Sequence, residues 1–228
     1  RAPLTSIKST VEMIRGADSN KMPAADLLKY LATIDSTSST MLELVNDLLD
    51  VAKVEAGKFD VICARGNLSE VINERAESFK AQITLKGLKI TVDVEQGLPE
   101  GWFDKVRIKQ VLNNLMSNAI KYTDNGGIIV KATVEKVNGV PIDILVSVAD
   151  TGIGIESGQI ERLFSKFGQL ETGRANAGLK SSGLGLYITK KIVEASAGKI
   201  WVESQGAGTG STFYFTIPIA GSVTKEEN

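Results

Sequence analysis

The residues best equipped for chemistry in this chain are uncharged amides. Gln110, Asn114 and Asn118 stand at i, i+4 and i+8 within 104–122. There Val106, Val111, Leu112, Leu115, Met116, Ala119 and Ile120 repeat with the period of a helix, so the three carboxamides share one helical face. Lys121 and Tyr122 follow a turn later. Burying carboxamides on an apolar helix is costly without partners. The face therefore reads either as a hydrogen-bonded polar seam or as a ligand surface. In the second case an amide oxygen serves a hard cation and the lysine ammonium serves a phosphate.

Three glycine-rich runs add to this face. Asp150-Thr151-Gly152-Ile153-Gly154-Ile155 follows the apolar stretch 142–149. A carboxylate at a strand end can accept a hydrogen bond from an exocyclic amine such as that of adenine, and glycines beside it admit a planar ring to the backbone. A plain turn would use the same residues. Ser182-Gly183-Leu184-Gly185-Leu186 opens the helical stretch 184–195, where backbone N–H groups and the helix dipole favour phosphate. Gly206-Ala-Gly-Thr-Gly210-Ser-Thr-Phe213 reads equally well as a tight hairpin. No Gly-Lys-Ser/Thr follows these glycines, which excludes a Walker loop. Neither of the last two runs starts a βαβ unit with an acidic ribose ligand at the right distance, which argues against a dinucleotide fold.

Composition narrows the chemistry further. The chain holds no histidine and one cysteine, Cys63, which excludes His-based triads, His-containing zinc sites and Cys₄ sites. A metal would be held mainly by oxygen, which favours Mg²⁺ or Ca²⁺. A lone cysteine forms no internal disulfide and points to a reducing, cytoplasmic compartment. The 26 basic and 27 acidic residues leave a net charge of −1, with no bulk attraction to nucleic acid or anionic membrane. No apolar run approaches the roughly 20 residues that span a bilayer, so any membrane link would run through segments outside this sequence.

The elements that must position these residues follow from periodicity. At 228 residues, with 43% hydrophobic and 23% charged, the chain has room for a unit of roughly 150 residues and a smaller piece. Leu4, Ile7, Val11 and Ile14 mark a first helix, 16–23 a polar break, and Leu27, Leu31, Ile34, Met41, Val45, Leu48, Leu49 and Ala52 a longer second helix ending near Gly57. The weak helix formers of 35–40 require packing to hold it. Two unequal helices cannot cover each other's stripes, so the hairpin either pairs with a second copy in a four-helix bundle or packs on the remaining chain. From Phe59 onward the pattern predicts helices over 68–83 (with Asn67 or Ser69 at the cap), 104–122, 156–167 and 184–195. Strands are predicted over 89–94, 128–134, 142–149, 200–203 and 212–217, with turns at 97–101, Asn138-Gly139 and 206–210. The stretch 171–182 has Leu179 as its only large apolar anchor and reads as a mobile loop. The fold class is α+β, with helices gathered on one side of a mixed sheet.

In content and order these segments resemble the GHKL nucleotide-binding superfamily and, within it, the histidine kinases. Asn114-Leu-Met-Ser-Asn118-Ala-Ile-Lys121-Tyr122 is similar to the family's N box, 150–154 to its first glycine box and Leu163-Phe164-Ser-Lys-Phe167 to its phenylalanine box. Gly183-Leu-Gly185-Leu is similar to the second glycine box and 208–213 to the last. Arg1-Ala2-Pro3-Leu4 resembles the end of the phosphoacceptor motif His-Glu-x-Arg-Thr-Pro-Leu, and 44–57 the end of a dimerisation hairpin. The resemblance implies a dimerisation and phosphotransfer hairpin over 1–58, a two-layer ATP-binding domain of the Bergerat type over 59–220, and a polar tail over 221–228.

It further implies an ATP-dependent protein-histidine kinase working with Mg²⁺, homodimeric through the hairpin and passing its phosphoryl group to a response-regulator receiver domain. Asn118 is the implied metal ligand; Asn114 and Lys121 are the implied catalytic residues, with Tyr122 also at the phosphates and Asp150 on the adenine. Gly152, Gly154, Ile155, Phe167, Ser182, Gly183, Leu184, Gly185, Leu186 and Thr212 complete the implied nucleotide site, and the loop between Phe167 and Gly183 is the implied ATP lid. Two departures stand out. The motif puts the phosphoacceptor three residues before Arg1, where a histidine means a kinase and any other residue a silent nucleotide-binding scaffold. Ala2 stands where many relatives carry Thr or Asn, and its methyl cannot orient a water for phosphatase work. An ATPase of the same superfamily is the remaining alternative, disfavoured because Asn114 is a poor general base.

Overall fold

The structure, a computed structural model, describes residues 2–16, 22–168 and 183–219. The chain divides into two units, Arg1–Lys58 and Phe59–Asn228.

The first unit is a helical hairpin of α1 (Ala2–Gly16) and α2 (Ala24–Glu55). The weak helix formers in the middle of α2 are accommodated locally. Thr33, Thr37 and Thr40 each donate a hydroxyl hydrogen bond to the carbonyl four residues earlier, at 2.9, 2.7 and 2.9 Å, so their hydroxyls find partners within the helix itself. The helix stops at Gly57, whose φ of 65° lets the amides of Gly57 and Lys58 turn back onto the carbonyls of Val54 and Lys53. Large apolar side chains remain exposed along both helices, among them Met13, Leu28 (66% exposed), Leu42, Leu48 (59%) and Leu49.

The second unit is a layer of helices on a mixed sheet. Its helices are α3 (Leu68–Leu85), α4 (Lys105–Tyr122), the single turn α5 (Ser157–Ile160) and α6 (Gly185–Ala195). Its strands are β1 (Ala64–Gly66), β2 (Lys89–Val94), β3 (Gly101–Phe103), β4 (Gly127–Val137), β5 (Val140–Asp150), β6 (Ile200–Glu203) and β7 (Ser211–Pro218). Five strands run in the order β2-β4-β5-β7-β6, with β2 parallel to β4 and the other pairs antiparallel. Alternation places Ile128, Val130 and Ala132 of β4, Ile144, Val146 and Val148 of β5, and Phe213, Phe215 and Ile217 of β7 on one buried face. The apolar side of α4, from Ile108 to Ile120, closes that core together with Leu68, Val71 and Ile72 of α3 and Ile188, Ile192 and Val193 of α6. Asn67 caps α3 by accepting from the Glu70 amide, and Asp104 caps α4 by accepting from the amides of Val106 and Arg107. Between β4 and β5, Asn138 and Gly139 both have positive φ, 52° and 81°, the pairing a two-residue hairpin turn demands.

Two expectations are corrected. The stretch 156–167 is not a helix: after α5 the bonds from Arg162 to Gln159, Leu163 to Ile160, Ser165 to Arg162 and Gly168 to Ser165 all span three residues, so the chain folds as successive tight turns. Burial of Leu163, the edge-on contact of Phe164 with Phe213 (6.4 Å between ring centres) and the left-handed φ of Phe167 override helical periodicity. Gly101 is not the end of a turn but the first residue of β3, which pairs with β1; strands of three residues are too short to show a period. The expected loop 171–182 and the tail 221–228 lie outside the described residues.

Leu115 is fully buried at the centre of α4. Leu115→Ala should lower stability by about 2–5 kcal/mol through lost transfer energy and a residual cavity. The measurement is the urea midpoint of the main unfolding transition, with the denaturant slope expected to hold.

Candidate functional site

The amide face of α4 forms in the structure, and each amide has a different neighbour. Gln110 Oε1 accepts a hydrogen bond from Arg107 (3.0 Å), whose guanidinium lies 4.4 Å from the Phe59 ring centre. One turn on, Asn114 Nδ2 donates to the hydroxyl of Thr189 on α6 at 2.8 Å. Asn114 Oδ1 lies so close to Gly185 that a Cβ there would meet it at 2.4 Å. The second glycine of Gly183-Leu-Gly185 is therefore the condition for seating the asparagine against the first turn of α6. A further turn on, Asn118 Nδ2 is 3.4 Å from Asn114 Oδ1, which leaves Asn118 Oδ1 without a partner among the described residues. Lys121 and Tyr122 end the face, with the ammonium 5.1 Å from the Tyr122 ring centre.

The C-terminal end of α4 meets the turn after β5. The carbonyl of Tyr122 accepts from the Ile153 amide at 3.1 Å, and a Cβ on Gly152 would lie 2.2 Å from the same oxygen. Gly154, at φ 69°, faces the carbonyl of Gly206 at an approach that a Cβ would close to 2.0 Å. Amides of Gly208 and Gly210 donate to the carbonyls of Ile153 (2.6 Å) and Gly152 (3.1 Å). Ile155 is buried, and its amide donates to Ser204 Oγ at 2.9 Å. The first and last glycine runs thus form one interlocked pair of turns.

Asp150 is the last residue of β5. Its Oδ1 accepts from the Gly152 amide at 2.8 Å and its Oδ2 from the Ser211 hydroxyl. Burial raises its pKa above the ordinary carboxylate value, and the hydrogen bonds from Ser211 and Gly152 offset part of that rise. Ser211 is the residue that sequence reasoning missed, although it stands in the same Gly210-Ser-Thr-Phe run. It is paired directly opposite Asp150, so both side chains emerge on one face. Thr212 pairs with Ala149 and lies on the other face of the sheet. Strand alternation therefore separates its side chain from that of Asp150.

Phe167 is 66% exposed. A Cβ at Gly183 would come within 2.8 Å of the Phe167 carbonyl carbon, so these two backbones meet where the chain leaves and re-enters the described structure. Leu184 is buried under the start of α6, and Gly185 and Leu186 are part-buried beside it. Ser182 and the side chain of Ala2 lie outside what the structure describes. Among the described residues no three His, Cys, Asp or Glu side chains gather as a metal site, and no helix is long and apolar enough to cross a membrane.

The sequence matches two family models. Residues 1–57 match the His Kinase A (phospho-acceptor) domain, and residues 103–221 match the histidine kinase-, DNA gyrase B- and HSP90-like ATPase model. The chain belongs to the histidine kinase family. It is similar to hybrid signal transduction histidine kinase C of Dictyostelium discoideum, 32% identical over 224 residues, 96% of this chain and 18% of that protein. This kinase core also superposes on full-length ShkA in complex with AMPPNP, with a TM-score of 0.70, 28% identity, and coverage of 94% of this chain and 43% of that one. The likeness to histidine kinase ThkA in complex with response regulator protein TrrA is close to this, at a TM-score of 0.68, 27% identity, and coverage of 95% and 57%. The chain thus spans less than two thirds of each of these relatives.

The raised pKa of Asp150 has a sign that can be tested. A folded-state value above the unfolded one means the ionised group destabilises the folded chain at neutral pH, and that loss is recovered as pH falls through the raised value toward the ordinary one. Asp150→Asn should flatten this part of the profile, read as thermal midpoints of both proteins between about pH 7 and pH 4. A wild-type-minus-variant difference that stays constant across the window would contradict the burial argument.

Proposed function

We propose that this chain is the ATP-dependent phosphotransfer core of a two-component signalling protein. The reading is that it moves the γ-phosphoryl group of Mg-ATP to a histidine of the hairpin's phosphoacceptor motif and onward to a response-regulator aspartate. The observation that carries the reading is the convergence on α4: its amide face is wedged on the glycine start of α6, and its last carbonyl is tied to the turn after Asp150.

The residues fit the group they would hold. Asp150, oriented by Ser211 and Gly152, can accept from an adenine amine. The N-terminus of α6 has no side-chain cap, which leaves its dipole and first amides for a phosphate. Lys121 adds a cation near the same end of α4. Asn118 Oδ1 offers one neutral oxygen to Mg²⁺, an ion that takes few protein ligands and the rest from phosphates and water. When bound, that ion would neutralise phosphate charge and align the leaving group. The chain's own part is positioning: Asn114 is held by Thr189 against Gly185, and it presents an amide where an ATPase would need a base. The ATP lid expected over 171–182 stands as part of this proposal, since the two residues that flank it, Phe167 and Gly183, meet at its root. The exposed leucines of α1 and α2 are proposed as the seam of a homodimeric four-helix bundle.

Two measurements test the proposal. Titration calorimetry of this chain with Mg-ATP should give saturable heat, and Asn118→Asp, which sets a charge beside the phosphates, should weaken binding by at least about tenfold, or about 1.4 kcal/mol. Absence of heat with the wild-type chain would end the nucleotide reading. Light scattering of the chain should report a dimer, and Leu48→Asp should yield a monomer by placing unpaired charge in the seam; a wild-type monomer at a concentration on the order of tens of micromolar would overturn the bundle.

A further inference from the structure

Helix α4 ends without the means that other helices of the chain use. The helices α2, α3 and α6 are each closed by backbone amides that fold back on their last carbonyls, with Gly57 and Gly87 at positive φ after the first two. At the end of α4 the chain leaves in an extended conformation at Thr123 (φ −108°, ψ 116°), so no amide of its own returns. The carbonyls of the last turn must be satisfied from elsewhere. Ile153 supplies one donor, to Tyr122. A side chain at the end of another helix supplies more. Lys86 Nζ donates to the carbonyls of Ile120 at 2.6 Å and Thr123 at 2.7 Å, reaches that of Lys121 at 3.4 Å, and lies 3.9 Å from the Asp124 carboxylate.

The anchor of this side chain is itself fixed. Lys86 is the C-cap residue of α3, its amide bonded to the carbonyl of Gln82, and Gly87 and Leu88 return to Thr84 and Ile83. The ammonium therefore stands where the dipole of α4 is most negative, on a backbone held by a completed cap. It braces the one turn that carries Asn118, Lys121 and Tyr122.

We infer that Lys86 is a positioning residue for the nucleotide's phosphates. It touches neither nucleotide nor metal, and acts by fixing the register and direction of the last turn of α4. The inference rests on the nucleotide site proposed above. The adenine end is held by other bonds, those of Asp150 with Ser211 and Gly152 and those of the 152–155 turn with 204–210. Loss of Lys86 should then be felt at the phosphates and not at the base.

The test is the ratio of Mg-ATP affinity to adenosine affinity, by titration calorimetry and ligand-observed NMR on this chain. Lys86→Met should lower that ratio on the order of tenfold, the scale of a lost charge-assisted hydrogen bond. Lys86→Arg, which keeps donors and charge at the same carbonyls, should restore it to within about threefold. Should Lys86→Met not fold, Lys86→Gln is measured in the same way. A ratio unchanged in the Met or Gln variant, a parallel loss of both ligands, or an equal loss in Lys86→Arg would each overturn the inference. If the wild-type chain binds no Mg-ATP, it is the nucleotide reading itself that fails, so the two failures are distinguishable.

Discussion

The second unit depends on how closely α4 approaches two other backbones. At its centre Asn114 Oδ1 presses on Gly185, and at its end the Tyr122 carbonyl presses on Gly152. A side chain at either glycine would displace a polar group that has another partner to keep, Thr189 in one case and Ile153 in the other. Glycine is used here for absence of bulk and not for flexibility: Gly152 and Gly185 do not need positive φ, whereas Gly154, Gly183 and Gly210 do. These contacts make the end of β5 and the start of α6 into neighbours of one helix.

That arrangement also resolves the tension in the helix itself. One side of α4 is as apolar as any core helix, with Ile108, Val111, Leu112 and Leu115 fully buried. The other carries amides that an apolar interior would reject. Each is met by a neighbour of its own: Arg107 for Gln110, Thr189 for Asn114 and Asn114 for Asn118. The chain of bonds ends at Asn118, whose oxygen has no partner among the described residues. The polar seam and the ligand surface were alternatives for this face; in the structure the first two amides belong to the seam, and the last is where a ligand surface would begin.

Asp150 follows the same logic with a charge. Its burial works against ionisation, and hydrogen bonds from the Ser211 hydroxyl and from the backbone of Gly152 and Ser211 work for it. A carboxylate so placed has a fixed direction. In the nucleotide site we propose, the interlocked turns at 152–155 and 204–210 would give this carboxylate the rigidity that base recognition requires.

The sequence alone determined the helices and the order of the motifs. Long periodic stretches such as 104–122 carry their own burial pattern, and Asn67, Asp104 and Asn138-Gly139 mark ends and turns through local chemistry that needs no distant partner. Tertiary structure decided the rest. The stretch 156–167 has helical spacing, yet burial of Leu163 and the Phe164–Phe213 contact wind it into tight turns. The three-residue pairing of β1 with β3 joins segments whose sequences show no strand period. Whether Ser211 or Thr212 faces Asp150 is fixed by the register between β5 and β7, which no single strand contains. The cap that Lys86 places on α4 spans more than thirty residues of chain. Local signals reach about one helical turn; partners brought together by the sheet lie beyond that range, and only packing chooses them.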